Sequence, residues 1–487
     1  MLDFRGRIER GLQALDRDRP AEAEKEFRAA LAMNPRDDQL LHLLGVSLVQ
    51  QQRAVEALEP LQKAISLNRR AADYHNALGC ALRDAGRYAD ALESFARALK
   101  LDARLEDVHY NIGQSYQRMG EFARAEEEFR ALQARRPEDT ELIGALSALR
   151  WQAGDREDAI RILREGIARL PSRGELRFLL ADKLLALGRF EEGWTSYLWR
   201  TNRLEWLRSI GARDIVPARL APSLEGRVVH VHGEQGLGDE LFFLRFAPLL
   251  RARGASVHGL VTPRIAAMVE RSAALDTVGR SSSFYPPGAD HVLLGDLPFL
   301  LDAHRQAPPP ALRCAPLAEK LVEVDALLAA LPRPLVGLTW RAGTGPEAGN
   351  RHKLFKETSF DALCEVARDL PGSVLVLQRQ PSTTEMERLR QMCGARLVDL
   401  SALNADLEAM LALLGRIDDY IGVSNTNMHL CAALSRSARV LVSNGAEFRW
   451  GAEGDHSPWF PGMTVYRQSA NGDWREAIES LRNRLSI

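Results

Sequence analysis

The sequence predicts a helical repeat array followed by two α/β halves. Three observations carry this: small and large apolar residues recur with a 34-residue period up to about residue 203. Beyond residue 226, short β-rich apolar runs alternate with helical segments. A proline-rich stretch, QAPPPALRCAP from Gln306 to Pro316, interrupts that alternation.

The repeat comes first in the chain. Gly11, Gly45, Gly79 and Gly113 stand 34 residues apart, and Ser147 and Ala181 keep the register with other small residues. Ala23, Ala57, Ala91, Ala125, Ala159 and Gly193 form a second small position, and Phe27, Leu61, Phe95, Phe129, Leu163 and Tyr197 follow four residues later. Small residues let paired helices approach, large ones fill the space between them, and Pro35, Pro137 and Pro171 stop the second helix of a pair. The pattern resembles the tetratricopeptide repeat, in six helix hairpins over residues 1–203, an α-solenoid whose groove takes a protein segment. The animal O-GlcNAc transferase, which also has such repeats, lines that groove with asparagines two residues before the repeat glycine. Here the position reads Leu43, Ala77, Asn111, Ala145 and Leu179, so that mode does not carry over. Asp16 and Asp18 in the first hairpin read as a solvated turn, not a metal-binding pair.

Residues 204–226 read as a linker, 227–305 as a first Rossmann-like half, 306–333 as a hinge and connecting segment, and 334–487 as a second Rossmann-like half. The first half opens with the run RVVHVH and the turn HGEQGLGD, where Gly236 and Gly238 suit close backbone approach and positive φ, and Asp239 follows at a helix start. Taken alone, such a turn also suits a ligand-free connection with an aspartate cap. In the second half the runs are PLVGLTW, SVLVLQ, RLVDL, DDYIGV and ARVLVS. Ligands of open α/β sheets bind beyond the carboxyl ends of strands, which directs attention to three loops. One holds Arg341, Arg351, Lys353 and Lys356; one is Ser424, Asn425, Thr426, Asn427 with His429 a turn further; one carries Glu447 and Arg449. A helix start with exposed N–H groups beside Arg and Lys suits a diphosphate, while SNTNMH alone also suits capping over a buried histidine.

Composition narrows the classes. The 64 Lys+Arg against 65 Asp+Glu leave a net charge of −1, which argues against a nucleic-acid footprint. The charged N-terminus and the lack of any long apolar run predict a cytoplasmic chain with no membrane span. Five cysteines without CxxC spacing predict reduced packing residues and no zinc site.

The segments EQGLGDELFFLRFAPLL, VGLTW, GVSNTNMHLCAAL, EFRW, SPWFPGMTVYRQ and GDW are together similar to the bacterial tetratricopeptide-repeat glycosyltransferases. Their C-terminal halves resemble lipopolysaccharide heptosyltransferases and, more distantly, O-GlcNAc transferase. The resemblance implies a GT-B fold, two Rossmann-like domains facing across a cleft, with a nucleotide sugar held mainly by the second. It implies Asp239 as catalytic base, Lys353 as support for the donor phosphates, and Asn425, Thr426 and His429 facing the diphosphate; Ser424 stands where the family has aspartate. Gly236, Gly238, Arg341, Asn427, Glu447 and Arg449 complete the expected donor site. The expected reaction is inverting transfer to an acceptor hydroxyl without metal or other cofactor, on a protein held by the repeats, flagellin-like proteins among them. The alternatives are a non-catalytic scaffold with a degenerate α/β part, or an enzyme acting on a lipid-linked or polysaccharide acceptor.

Overall fold

The computed structural model describes residues 2–212, 214–279, 289–342, 356–444 and 447–485. The chain forms two compact units, and the division falls between Ala159 and Ile160, inside the expected repeat array.

The first unit consists of helix hairpins. Leu2–Asp16 pairs with Pro20–Met33, Asp38–Gln50 with Ala54–Leu67, Ala72–Asp84 with Tyr88–Leu101, and Glu106–Arg118 with Phe122–Arg135, followed by Thr140–Gln152. The repeat glycine explains the pairing. A Cβ at Gly11 would lie 2.4 Å from the Phe27 ring, one at Gly79 2.4 Å from Phe95, and one at Gly113 2.5 Å from Phe129. Only hydrogen fits between the ring and the facing helix. Ala23, Ala57, Ala91 and Ala125 are fully buried beside these contacts. Each turn inside a hairpin needs one left-handed residue: Asp18, Gln52, Gly86, Gly120 and Gly154 supply it. The helices before Pro35 and Pro137 end at Met33 and Arg135, because the residue preceding proline is driven out of the helical region. Asp16 and Asp18 are exposed, as a solvated turn requires.

The second unit contains the end of the repeats as well as the α/β part. Its helices Gly174–Ala186 and Phe190–Tyr197 form the last hairpin, and Thr201–Ser209 extends helical structure into the segment read as a linker. Trp194 and Tyr197 explain why this hairpin belongs here. The Trp194 ring meets Phe448 at 5.5 Å, Trp459 at 5.8 Å and Phe243 at 6.2 Å, all edge-on. Arg200 and Arg203, 1 % exposed each, reach Glu234 and Asp296.

Two parallel sheets follow. In the first, β1 (Val228–His232), β2 (Ser256–Leu260), β3 (Thr277–Gly279) and β4 (Asp290–Leu293) lie in the order β3-β2-β1-β4. The second contains β5 (Leu335–Leu338); a two-stranded ribbon of β6 (Arg341–Ala342) and β7 (Lys356–Glu357) stands beside it. With β8 (Ser373–Val376), β9 (Leu397–Asp399), β10 (Asp419–Val423), β11 (Ala438–Val442) and β12 (Met463–Arg467), the order is β12-β11-β10-β5-β8-β9, all parallel. That is the doubly wound order, and it reverses between β5 and β10. The central strands of the second sheet are mostly apolar, and Val336, Leu338, Trp340, Val374, Val376 and Ile421 centre its core. The segment read as hinge is irregular through the prolines and then forms the helix Ala318–Leu328. The five cysteines are free, four of them buried.

Candidate functional site

The reversal point of the second sheet is built at close range. A Cβ at Gly422 of β10 would lie 2.0 Å from the Thr339 hydroxyl at the end of β5, so glycine lets the two strand ends approach. Thr339 and Tyr420 share a 2.8 Å hydrogen bond, and Asn425 Nδ2 donates to Thr339 Oγ1 at 2.9 Å. Asn425 Oδ1 also accepts the Met428 N–H at 3.2 Å, capping the helix Thr426–Ala433. Both ends of the Asn425 amide are therefore engaged within the protein, and Asn427 is 5 % exposed. Thr426 is half-buried at the first turn.

Beside this helix start, charged groups from both sheets meet. Ser424 Oγ donates to the Glu447 carboxylate, 3.3 Å from each oxygen. Glu447 pairs with Lys356 on one side and with Arg449 Nη1 at 2.7 Å on the other. Arg449 Nη2 reaches Asp239 Oδ1, which belongs to the turn after β1 of the first sheet. Asp239 Oδ2 meanwhile accepts the Gly236 N–H at 3.1 Å and fixes the start of the helix Leu237–Phe243. The result is a chain of alternating charge, Lys356, Glu447, Arg449, Asp239, that spans the carboxyl ends of both sheets. Burial and the Arg449 guanidinium push the Lys356 ammonium down to about 8, against the pull of Asp239 and Asp182. It still carries its charge at neutral pH.

His429 is buried beside this charged chain. It is 6 % exposed and packs edge-on against Phe460 at 5.4 Å and Phe242 at 6.5 Å. Gly238 lies directly over it: a Cβ there would be 3.0 Å from Cδ2 and 3.1 Å from Nε2. Burial, with Arg449, Arg245 and Lys356 nearby, holds its pKa well below the ordinary histidine value, so the ring is neutral. Gly238 thus serves the approach of the His429 ring. Neither Gly236 nor Gly238 has positive φ; Gln235, at +66°, is the left-handed residue of the turn.

The remaining candidates divide. Arg341 turns to Glu385 and to the Gln380 carbonyl, 2.7 Å from Nη2, and not into the charged chain. Lys353 lies outside the described residues. Lys356, three residues on, is the described cation of that loop that enters the cluster. Sequence reading placed no role on Asp182, yet this aspartate of the last repeat hairpin accepts the Phe448 N–H at 3.3 Å. Burial raises its pKa, with Lys183, the Phe448 N–H, Arg449 and Lys356 opposing. Its sign in the sequence is only a carboxylate among leucines, in LRFLLADKLL.

Chemically, two cations compensated by carboxylates can exchange those partners for an incoming polyanion. A carboxylate freed from its guanidinium can accept a proton. No described helix is long and apolar enough to cross a membrane.

Models of the tetratricopeptide repeat match residues 8–76, 106–139 and 145–194, and a TPR repeat model matches 79–120. A curated relative, protein FlbA of Caulobacter vibrioides, is 27% identical over 338 residues, covering 62% of this chain and 53% of FlbA. The chain thus spans about half the length of that relative. Among solved structures, a thermophilic TPR protein of Thermus thermophilus, TTC0263, is 23% identical with a TM-score of 0.34, covering 37% of this chain and 99% of its own. PilW, a type IV pilus biogenesis factor, is 16% identical with a TM-score of 0.35, covering 44% of this chain and 96% of its own. The N-terminal part is a tetratricopeptide array, and a C-terminal region of parallel α/β sheets follows it.

Proposed function

We propose that the chain is a glycosyltransferase of GT-B type, moving a sugar from a nucleoside diphosphate donor to an acceptor hydroxyl on a protein held by the repeats. The observation that carries this reading is the charged chain Lys356–Glu447–Arg449–Asp239, which brings the carboxyl ends of both sheets to one place. In the proposed cycle the donor diphosphate draws Lys356 and Arg449 away from Glu447 and Asp239. The two cations then balance the charge that develops as the anomeric C–O bond to the diphosphate breaks. Asp239, released from Arg449, takes the proton of the acceptor hydroxyl as its oxygen bonds to the anomeric carbon with inversion. Ser424 stays on Glu447 and holds that carboxylate in place. The resemblance that motivates this reading suggests flagellin-like proteins among the acceptors. The site lies on the side of the molecule where the last repeat hairpin, through Asp182 and Trp194, packs on the α/β part.

The test is ligand-induced stabilisation of the purified chain by UDP, GDP, ADP and CMP sugars. A ligand at about a hundred times its dissociation constant adds about 2.7 kcal/mol to the folded state. One nucleotide class is expected to raise the melting temperature of the wild type, and Lys356→Ala to abolish the rise. Asp239→Asn is expected to keep binding and lose transfer of labelled sugar. Transfer is expected to survive EDTA. If no nucleotide class stabilises the chain, the reading fails.

A second reading has its own observation. Every charge of the cluster is compensated within the protein, Asn425 is fully engaged, and His429 is buried and neutral. These are properties of a structural junction, as in a scaffold whose α/β part has no chemistry. The same thermal assay separates the two, since a junction gains nothing from nucleotide sugars.

A further inference from the structure

The first sheet carries a cluster of histidines that the donor site does not use. His230 and His232 stand two residues apart on β1, so both side chains point to the same face, while Val229 and Val231 are buried on the other. On β4, His291 is the register partner of His230 and points to that face as well. His230 Nδ1 lies 3.3 Å from His232 Nε2, which lies 3.0 Å from His291 Nδ1, and the three rings each offer a nitrogen within 4.8 Å of the other two. β1 and β4 are also the strands between which the order of this sheet reverses.

Ring-to-ring hydrogen bonding describes this geometry poorly. An imidazole nitrogen has one in-plane lone pair or one N–H, so His232 Nε2 cannot serve two neighbouring ring nitrogens equally well. A cation can, since each ring offers it one lone pair. Ligands at 2.0–2.1 Å around a tetrahedral ion stand about 3.3 Å apart, which matches the 3.3 Å pair and nearly matches the 3.0 Å one. The third pair lies within 4.8 Å. The ligand set has three imidazoles and neither thiolate nor carboxylate, which favours zinc, copper or nickel over calcium or magnesium. His230 is fully buried and His232 is 8 % exposed, whereas His291 is exposed and leaves a way in from solvent.

We infer that His230, His232 and His291 form a binding site for one divalent transition ion of the zinc class, with a fourth position open to water. The ion clamps β1 to β4 across the reversal point. This site is separate in composition from the charged cluster, and nothing in the proposed transfer depends on it. It departs from the expectation of no zinc site, which rests on cysteine spacing: these ligands are brought together by strand register and not by a short motif.

The test uses untagged full-length protein stripped by a chelator. Titration with Co²⁺ is expected to give one equivalent bound with the strong visible absorption of a four-coordinate ion, bleached by Zn²⁺. His291→Ala, at an exposed position, is expected to weaken Zn²⁺ at least tenfold and to remove the Zn²⁺-induced rise in melting temperature. His456→Ala, an exposed histidine elsewhere, is expected to leave both unchanged. X-ray absorption of the zinc-loaded wild type needs no variant and is expected to count three imidazoles. Binding no tighter in the wild type than in His291→Ala, or a coordination shell with fewer than three imidazoles, overturns the inference. Sugar transfer is expected to be equal in the wild type and His291→Ala, with or without EDTA; EDTA sensitivity in both counts against a metal-free donor site and leaves the zinc titration to decide the histidine site.

Discussion

Asp296 is the residue whose removal tests how the last repeats are joined to the α/β part. Its carboxylate takes Arg203 Nε at 2.6 Å through one oxygen and forms an ion pair with Arg200 Nη2 at 2.6 Å through the other. Arg200 also holds Glu234, in the turn that leads to Asp239. All four side chains are 7 % exposed or less. The group is neutral as it stands, two guanidiniums against two carboxylates. Asp296→Ala leaves Arg203 with only the Leu198 carbonyl, at 3.0 Å, and leaves Glu234 alone facing two buried cations. Breaking a buried pair from one side costs about 3–5 kcal/mol, because the surviving charge is desolvated without a partner. We expect a loss of that size in urea unfolding followed by tryptophan fluorescence, with Trp194, Trp199 and Trp206 near the network as reporters. Asp296→Leu combined with Arg203→Met removes both charges at similar volume, and we expect it to recover most of the loss. A loss under about 1 kcal/mol for Asp296→Ala, or no recovery in the double variant, refutes an electrostatic junction and leaves the aromatic packing as its basis.

Three further outcomes follow from particular contacts. Gly79→Ala drives a Cβ toward the Phe95 ring, 2.4 Å away, and is expected to destabilise the repeats by about 1–3 kcal/mol despite alanine's better helix propensity, read as a lower melting temperature. Gly422→Ala, with a Cβ 2.0 Å from Thr339 Oγ1, is expected to displace Thr339 and Asn425 and to abolish nucleotide-induced stabilisation while the first unit melts unchanged; retained stabilisation would place the donor elsewhere. The depressed pKa of His429 means that the unfolded chain takes up a proton the folded one refuses. Its contribution is therefore complete above about pH 6.5 and is lost as the pH falls below, by up to about 1.4 kcal/mol per pH unit. His429→Gln is expected to flatten that part of the stability profile, and an equal slope in both proteins refutes the assignment.

The repeats were legible in the sequence because each hairpin solves its packing locally. Gly11, Phe27 and Ala23 lie within one period, so the spacing alone names the contact. The α/β part was legible as alternation, but β3 and β12 were not foreseen. β3 is three residues long, and β12 follows the proline- and aromatic-rich stretch SPWFPGM, which reads as loop. The boundary at residue 203 reflects where the period stops, whereas the compact units divide at Ala159 because Trp194 and Tyr197 pack on Phe243 and Phe448. Periodicity records kinship among hairpins. It carries no information about which hairpin has acquired a foreign partner.

The same distinction explains the site. Glycine turns, cap residues and cations beside strand ends can be listed from sequence, and Asp239, Ser424, Glu447 and Arg449 do meet. What sequence does not give is which cation reaches which carboxylate. Arg341 and Lys356 belong to adjacent strands of one ribbon, yet Arg341 turns to Glu385 and Lys356 to Glu447. Asp182 and the histidine cluster escaped for a related reason: each depends on residues far apart in the chain brought together by packing or register, as His230 and His291 are. Spacing rules detect chemistry that one turn or one strand assembles. Chemistry assembled across a sheet becomes visible only once the strand order is known, as the pairing of β1 with β4 shows for His230 and His291.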